Sequence, residues 1–330
     1  MSTKLIIVLG VTGLQGGSVA RLFASKPGWR VRGITRDPDK DSSAALRAVG
    51  VELVRGDLND QSSLDVAFEN ANVIFANTDF FHVLSDPTAY EEAEKTGKPM
   101  IQIAYDREVQ QGKNAVDAAA KHLETLDLFI WSTLSDAKKW GKGEFQVEHF
   151  DSKAAVVSYL REQQPLLASK SSYLQMGMYL SNWQINPSLR PHKQADGTFA
   201  IKLLKEFGES VEPLVNPPHD TGIFVQALVD APTGTHLLGA SKQLRFTDLW
   251  SLWAQIKGVE LKIEDRQESD IEEMPEWLSV ELRDSQLYCA KYGYTGGDPE
   301  VKTADDLGIG ASQLTNVEDW LRQEDFSSIM

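Results

Sequence analysis

Cysteine is almost missing. Cys289 is the one example in 330 residues, so no intrachain disulfide can form and no sign of an oxidising compartment is present. The expected location is cytoplasmic, with the nucleus as the alternative. Long apolar runs are missing too. None approaches the roughly 18 residues that a bilayer-spanning helix requires, and the opening run at residues 5–9 is shorter than the apolar stretch of a secretory leader. The last residues, Phe326-Ser327-Ser328-Ile329-Met330, contain no prenylation box. A soluble chain without membrane attachment is expected. Positive charge is scarce: 33 Lys and Arg face 48 Asp and Glu, a formal net charge of −15. That field repels a phosphate backbone, so direct nucleic acid binding is not expected. The six histidines lack the spacing of metal ligands, and no metal site is expected.

What the sequence does have is alternation. Short apolar runs at 4–10, 29–35, 51–55, 72–77, 126–132 and 171–176 are separated by amphipathic stretches at 16–25, 42–49, 62–68, 107–122 and 147–163. Buried parallel strands read as such runs, and crossover helices separate them. The fold class is therefore α/β, a doubly wound parallel Rossmann sheet over residues 1–180. Beyond Tyr179, turn signals such as Asn186-Pro187, Asp196-Gly197 and Asn216-Pro217-Pro218 break up the chain. Helical patterns return at 223–230, 246–256, 274–292 and 316–322. Residues 181–330 thus form a smaller α-rich lobe for substrate or partner, interleaved with the first domain. The acidic stretch 264–276 reads as a solvated connector or helix face.

The first strand runs directly into Gly10-Val11-Thr12-Gly13-Leu14-Gln15-Gly16-Gly17 and then a helix. Glycines at this spacing let a tight turn bring bare N–H groups to a pyrophosphate at a helix N-terminus. Gly10, Thr12, Gly13, Leu14, Gln15 and Gly16 are the residues expected to hold a dinucleotide. Strand two ends in Thr35-Arg36-Asp37-Pro38-Asp39-Lys40, where an NAD-binding acid usually stands. Arg36, with Lys40 beside it, suits the 2′-phosphate of NADP(H); the alternative is that Asp37 takes the ribose. Asp57 and Leu58 after strand three are placed for the adenine, with Asp57 as a turn or capping acid the competing reading. Asn77 and Thr78 after strand four fall beside the nicotinamide half.

The glycine run, the Thr35-Arg36-Asp37-Pro38 turn, Gly56-Asp57 and His149-Phe150-Asp151-Ser152-Lys153 together resemble the NmrA-like proteins, an atypical branch of the short-chain dehydrogenase/reductase superfamily. The resemblance extends to Tyr179-Leu180-Ser181-Asn182-Trp183 and Asp220-Thr221-Gly222. It implies a Rossmann domain with a small substrate lobe and NADP(H) as cofactor. It implies two kinds of role as well, since some relatives are reductases, often in specialised metabolism, and others are redox-responsive regulators that bind proteins.

The superfamily's active site has a Ser, a Tyr and a Lys, the last two four residues apart on one helix face. Lys153 matches the lysine, but His149 stands in the tyrosine position. Either Lys153 holds the nicotinamide ribose while His149 or a nearby group donates the proton, or the pair anchors cofactor in a non-catalytic protein; His149 as a packed helix residue is the third option. Ser132 and Thr133 fall at the position of the active-site serine, where a hydroxyl can polarise a substrate. Two functions follow: an NADPH-dependent oxidoreductase acting on a small carbonyl, imine or activated alkene, or an NADP(H) sensor signalling to a protein such as a transcription factor. Either fits a monomer or homodimer.

Overall fold

The computed structural model describes residues 3–267 and 274–330. Its N-terminal part runs β1 (Lys4–Val8), α1 (Leu14–Ala24), β2 (Trp29–Thr35), α2 (Ala44–Ala48), β3 (Glu52–Arg55), α3 (Gln61–Ala67), β4 (Val73–Ala76), α4 (Phe80–Val83), α5 (Pro87–Thr96), α6 (Met100–Ala119), β5 (Leu128–Thr133), α7 (Ala137–Trp140), α8 (Glu148–Gln163), α9 (Pro165–Ala168) and β6 (Ser171–Met176). The chain continues through β7 (Met178–Tyr179), β8 (His192–Lys193), β9 (Phe199–Leu203), α10 (Lys205–Glu209), β10 (Val211–Val215), α11 (Pro217–Asp230), β11 (His236–Gly239), β12 (Lys242–Arg245), α12 (Phe246–Lys257), β13 (Leu261–Asp265), α13 (Glu276–Tyr292), β14 (Val301–Lys302) and α14 (Val317–Gln323).

Eight strands form one sheet in the order β14-β11-β6-β5-β4-β1-β2-β3, and every adjacent pair is parallel. Strand alternation divides its side chains between two cores. In β1, Ile6 and Val8 join Phe23 of α1 and Phe224 of α11 on one face. Leu5 and Ile7 join Phe68, Trp131 and the inner sides of α6 and α8 on the other. Both faces are covered, which is why the strands read as unbroken apolar runs. Strand order reverses between β2 and β4 on either side of β1, and an open parallel sheet leaves its ligand crevice at such a switch, beyond the C-terminal strand ends.

The six N-terminal strands lie where the apolar runs predict them. The stretch between β4 and β5 holds more helix than expected: α4 and α5 precede α6, and α6 begins at Met100 rather than residue 107. The physical reason lies in the caps. Asp79 accepts the His82 N–H and Asp86 the Thr88 N–H, Pro87 opens α5, and Gly97 closes it in the left-handed region at φ 71°. Pro99, in extended backbone, then starts α6 two turns early. Besides its helices the C-terminal lobe carries two three-stranded sheets, β12-β10-β7 and β13-β9-β8, around Trp183, Phe199, Trp250, Trp253 and Phe326. Helix α11 and strands β11 and β14 leave this lobe to pack on the main sheet. Among the described residues no helix is long and apolar enough to cross a membrane.

Candidate functional site

The loop after β1 is built for close approach. Gly10 takes φ +59°, and a Cβ there would come within 2.7 Å of Asn77 Oδ1. A Cβ on Gly16 would come within 2.4 Å of the Gly10 carbonyl oxygen, so only glycine lets the first turn of α1 sit on the loop. Gly13 is the N-cap of α1, whose first turn contains no acidic residue; its positive dipole end is free for an anion. Thr12 and Leu14 are exposed at its rim. Across the loop, Asn77 Oδ1 is buried without a hydrogen-bond partner. Buried polar atoms are normally paired, so this acceptor beside the glycine loop is open to a donor from a bound group.

Arg36 and Lys40 are exposed beyond β2, and Arg36 Nη1 lies 3.2 Å from His82 Nε2 at the end of α4. Asp57 Oδ1 accepts from the Asn59 backbone N–H at 2.9 Å and its side-chain amide at 3.1 Å, a local turn interaction. The Leu58 carbonyl accepts from Asn114 of α6.

At the end of β5 the two hydroxyls part company. Ser132 Oγ donates to Gln15 Oε1 at 2.8 Å, and Gln15 Nε2 donates to the Tyr179 hydroxyl at 2.6 Å. The glycine loop, β5 and β7 are thereby joined through one amide. Burial pushes the Tyr179 phenol up to about 12, against the Gln15 hydrogen bond, so Tyr179 keeps its proton. Thr133, 1% exposed, donates to its neighbour's carbonyl at Leu134.

Lys153, one turn into α8, donates to the Thr78 carbonyl and hydroxyl at 3.1 Å each and to Glu108 Oε1 at 2.5 Å. Glu108 is fully buried in α6 and also accepts from Ser152 Oγ. All three donors of the ammonium are in use. Among the described residues, no hydrogen bond joins His149 to Lys153. Its Nδ1 lies 2.5 Å from Glu281 Oε1 of α13, and its ring packs against Phe80, Phe81 and Phe150 with centroids 6.0, 5.2 and 4.8 Å away. Close by, burial raises the Asp151 carboxyl to about 7 although the Lys138 N–H bonds to it, and Asp136 and Glu148 push the same way. Burial, then Glu281, also raises Glu148.

The sequence-derived candidates thus collect at one edge. Direct bonds join Gln15 to Ser132 and Lys153 to Thr78, and Gly10 abuts Asn77; Arg36, Lys40, Asp57 and Leu58 stand further along. Glu108 and Glu281 were not anticipated. Each is an acid on the buried stripe of its helix, Glu108 between Ala104 and Ala115 and Glu281 three and seven residues before Asp284 and Tyr288. For Glu108 the charge on an otherwise apolar face is the signal that points to it, whereas the α13 stripe is itself polar and gives no such signal. Part of the acidic stretch 264–276 lies outside the described residues. Among those described, no cluster of His, Cys, Asp and Glu could hold a metal.

The sequence pattern of the NmrA-like family matches residues 2–321. The chain is 26% identical to the NmrA-like family domain-containing oxidoreductase hkm9 of Aspergillus hancockii, over 98% of this chain and 97% of that one. It is equally similar, at 26%, to the oxidoreductase lnaB of Aspergillus flavus, over 96% of each. Among solved structures it resembles NmrA, a negative transcriptional regulator, in complex with NADP (TM-score 0.73, 20% identity, 100% and 97% coverage). It also resembles the Citrobacter sp. triphenylmethane reductase complexed with NADP(H) (TM-score 0.63, 17% identity, 97% and 99% coverage).

Proposed function

We propose, from the premise that this chain belongs to the NmrA-like family, that it is an NADPH-dependent oxidoreductase that reduces a small carbonyl, imine or activated alkene. The observation that carries the reading is the glycine cradle with its orphaned Asn77 Oδ1, one residue before the Thr78 that binds Lys153 and joined to Ser132 through Gln15 of the same glycine motif. The oxidoreductase names of full-length relatives and the NADP(H) complexes of similar structures support it.

In this reading the α1 N-terminus holds the pyrophosphate, Arg36 and Lys40 hold the 2′-phosphate, and Asp57 and Leu58 border the adenine. Asn77 and Thr78 border the nicotinamide. When bound, the reduced nicotinamide supplies a hydride. The chain's own groups supply the rest. Lys153 takes a ribose hydroxyl by giving up a bond to Thr78, while Glu108 keeps the ammonium in place. Ser132, bound to Gln15, orients the substrate. His149 is the proton donor.

The test is a calorimetric titration of NADPH, NADP+, NADH and NAD+ on wild type and Arg36→Ala. A charge-assisted bond to the 2′-phosphate is worth about 1.5–3 kcal/mol, so wild type is expected to favour the phosphorylated forms by tenfold or more and the variant to lose that preference. Equal affinity of wild type for all four overturns the role of Arg36. Failure of NADPH to be consumed with a diketone, a cyclic imine and an enone as acceptors overturns the reductase.

A further inference from the structure

We infer that Glu281 is the positioning residue of His149: it holds the ring with the proton on Nδ1 and leaves Nε2 as the atom that gives a proton to the substrate, an assignment that rests on the reductase reading. The geometry is specific. The Glu281 carboxylate, 1% exposed, accepts three N–H groups: the Glu148 backbone N–H on Oε2 at 3.0 Å, and the His149 backbone N–H and His149 Nδ1–H on Oε1 at 3.0 and 2.5 Å. An ionised carboxylate only accepts, so the ring nitrogen facing it must carry the hydrogen. Phe80, Phe81 and Phe150 wall the ring, and Nε2 has no hydrogen-bond partner among the described residues. Phe80 lies two residues after Thr78, the residue bonded to Lys153, so the ring stands by the segment that holds the lysine.

A buried carboxylate behind an imidazole fixes the tautomer and the ring's orientation and stabilises the imidazolium, so that Nε2 is the nitrogen left to exchange a proton with substrate. In the step assigned here the Nε2–H bond of the imidazolium breaks, its electron pair stays on nitrogen, and the proton forms an O–H or N–H bond on the substrate as hydride reduces it. Neutral His149 is left with Nδ1–H on Glu281 and is reprotonated from water. Glu281→Gln disturbs this for a stated reason. An amide carries no charge and has one accepting and one donating end: with its oxygen on the two His149 N–H groups it sets its NH2 against the Glu148 N–H, and turned over it sets the NH2 against His149, so the ring is no longer held in one tautomer.

The experiment is nitrogen-15 NMR of the histidine rings at alkaline pH, with His149→Phe locating the signals, together with NADPH oxidation using phenanthrenequinone, 2-methyl-1-pyrroline or cyclohexenone. Wild type should show Nδ1–H alone, Glu281→Gln should show a share of Nε2–H, and kcat of the Gln variant should fall about tenfold or more with KM and NADPH affinity unchanged. Glu281→Asp should regain part of the loss. If Glu281→Gln does not fold, His149→Phe, which keeps the backbone bonds to Glu281, must show the same fall in kcat. Nε2–H in wild type, or an unchanged kcat in both variants, overturns the inference. No turnover with any of the three acceptors alongside an intact Nδ1–H signal overturns the reductase reading and the proton transfer, while Glu281 still sets the tautomer.

Discussion

Lys153 and Glu108 form a pair in which each charge depends on the other, with side chains 13% and 0% exposed. Lys153→Met should therefore destabilise the fold by about 3–5 kcal/mol, because it strands a buried carboxylate. Glu108→Leu combined with Lys153→Met should recover most of that stability in urea unfolding. Loss of turnover in the single variant is then separable from loss of fold; a single variant as stable as wild type would refute the pairing. His236 behaves oppositely. It is 8% exposed with neither ring nitrogen paired, and burial lowers it to about 4, with Asp298 opposing and Arg161 reinforcing the shift. The unfolded histidine titrates near 6.5, so between pH 6.5 and 4 the unfolded chain binds the extra proton. The contribution of His236 is present above pH 6.5 and is lost as pH falls toward 4, on the order of 3 kcal/mol. In His236→Phe, Tm should decline less between pH 7.5 and 4.5 than in wild type.

At the scale of elements, the crossing of α1 and α11 supports the helix that follows the glycine loop. A Cβ on Gly222 would come within 2.9 Å of both Leu22 Cβ and the Ser18 carbonyl oxygen, and the Gly222 N–H donates to Ser18 Oγ at 3.0 Å. Gly222→Ala should push the helices apart at about 1–3 kcal/mol and, since α1 begins in the glycine loop, should also weaken NADPH binding; an Ala variant with wild-type Tm and affinity would show that the contact yields. The same scale explains what was legible in the sequence. Strands β1 to β6 were readable because both faces of the sheet are covered, and Gly10, Asn77, Ser132 and Lys153 could be named as candidates because they lie at strand ends or on a patterned helix. Helix α4, with four residues, and β7 and β8, with two each, are too short to show any period. Glu108 and Glu281 reach the site from helices 45 and 132 residues away from their partners Lys153 and His149, a distance that local pattern cannot bridge.

For the whole molecule, the two parts are bound together by crossings of the chain. The fully buried Asp220 carboxylate accepts the Asn216 N–H, the Thr315 N–H and hydroxyl, and lies 2.8 Å from His219 Nδ1, which ties the start of α11 to the segment before α14. The main sheet is extended in the same way, because β11 pairs with β6 across some 60 residues and β14 pairs with β11 only after α13. For a chain emerging from a ribosome this sets an order of events. The strands β1 to β6 can pair as they appear, but the outer edge of β6 stays open until residue 239 has been made, and that of β11 until residue 302. An unpaired parallel edge is prone to join other chains, so the newborn protein carries its greatest risk of aggregation in the interval when its glycine loop has already been made and its last strands are not yet synthesised.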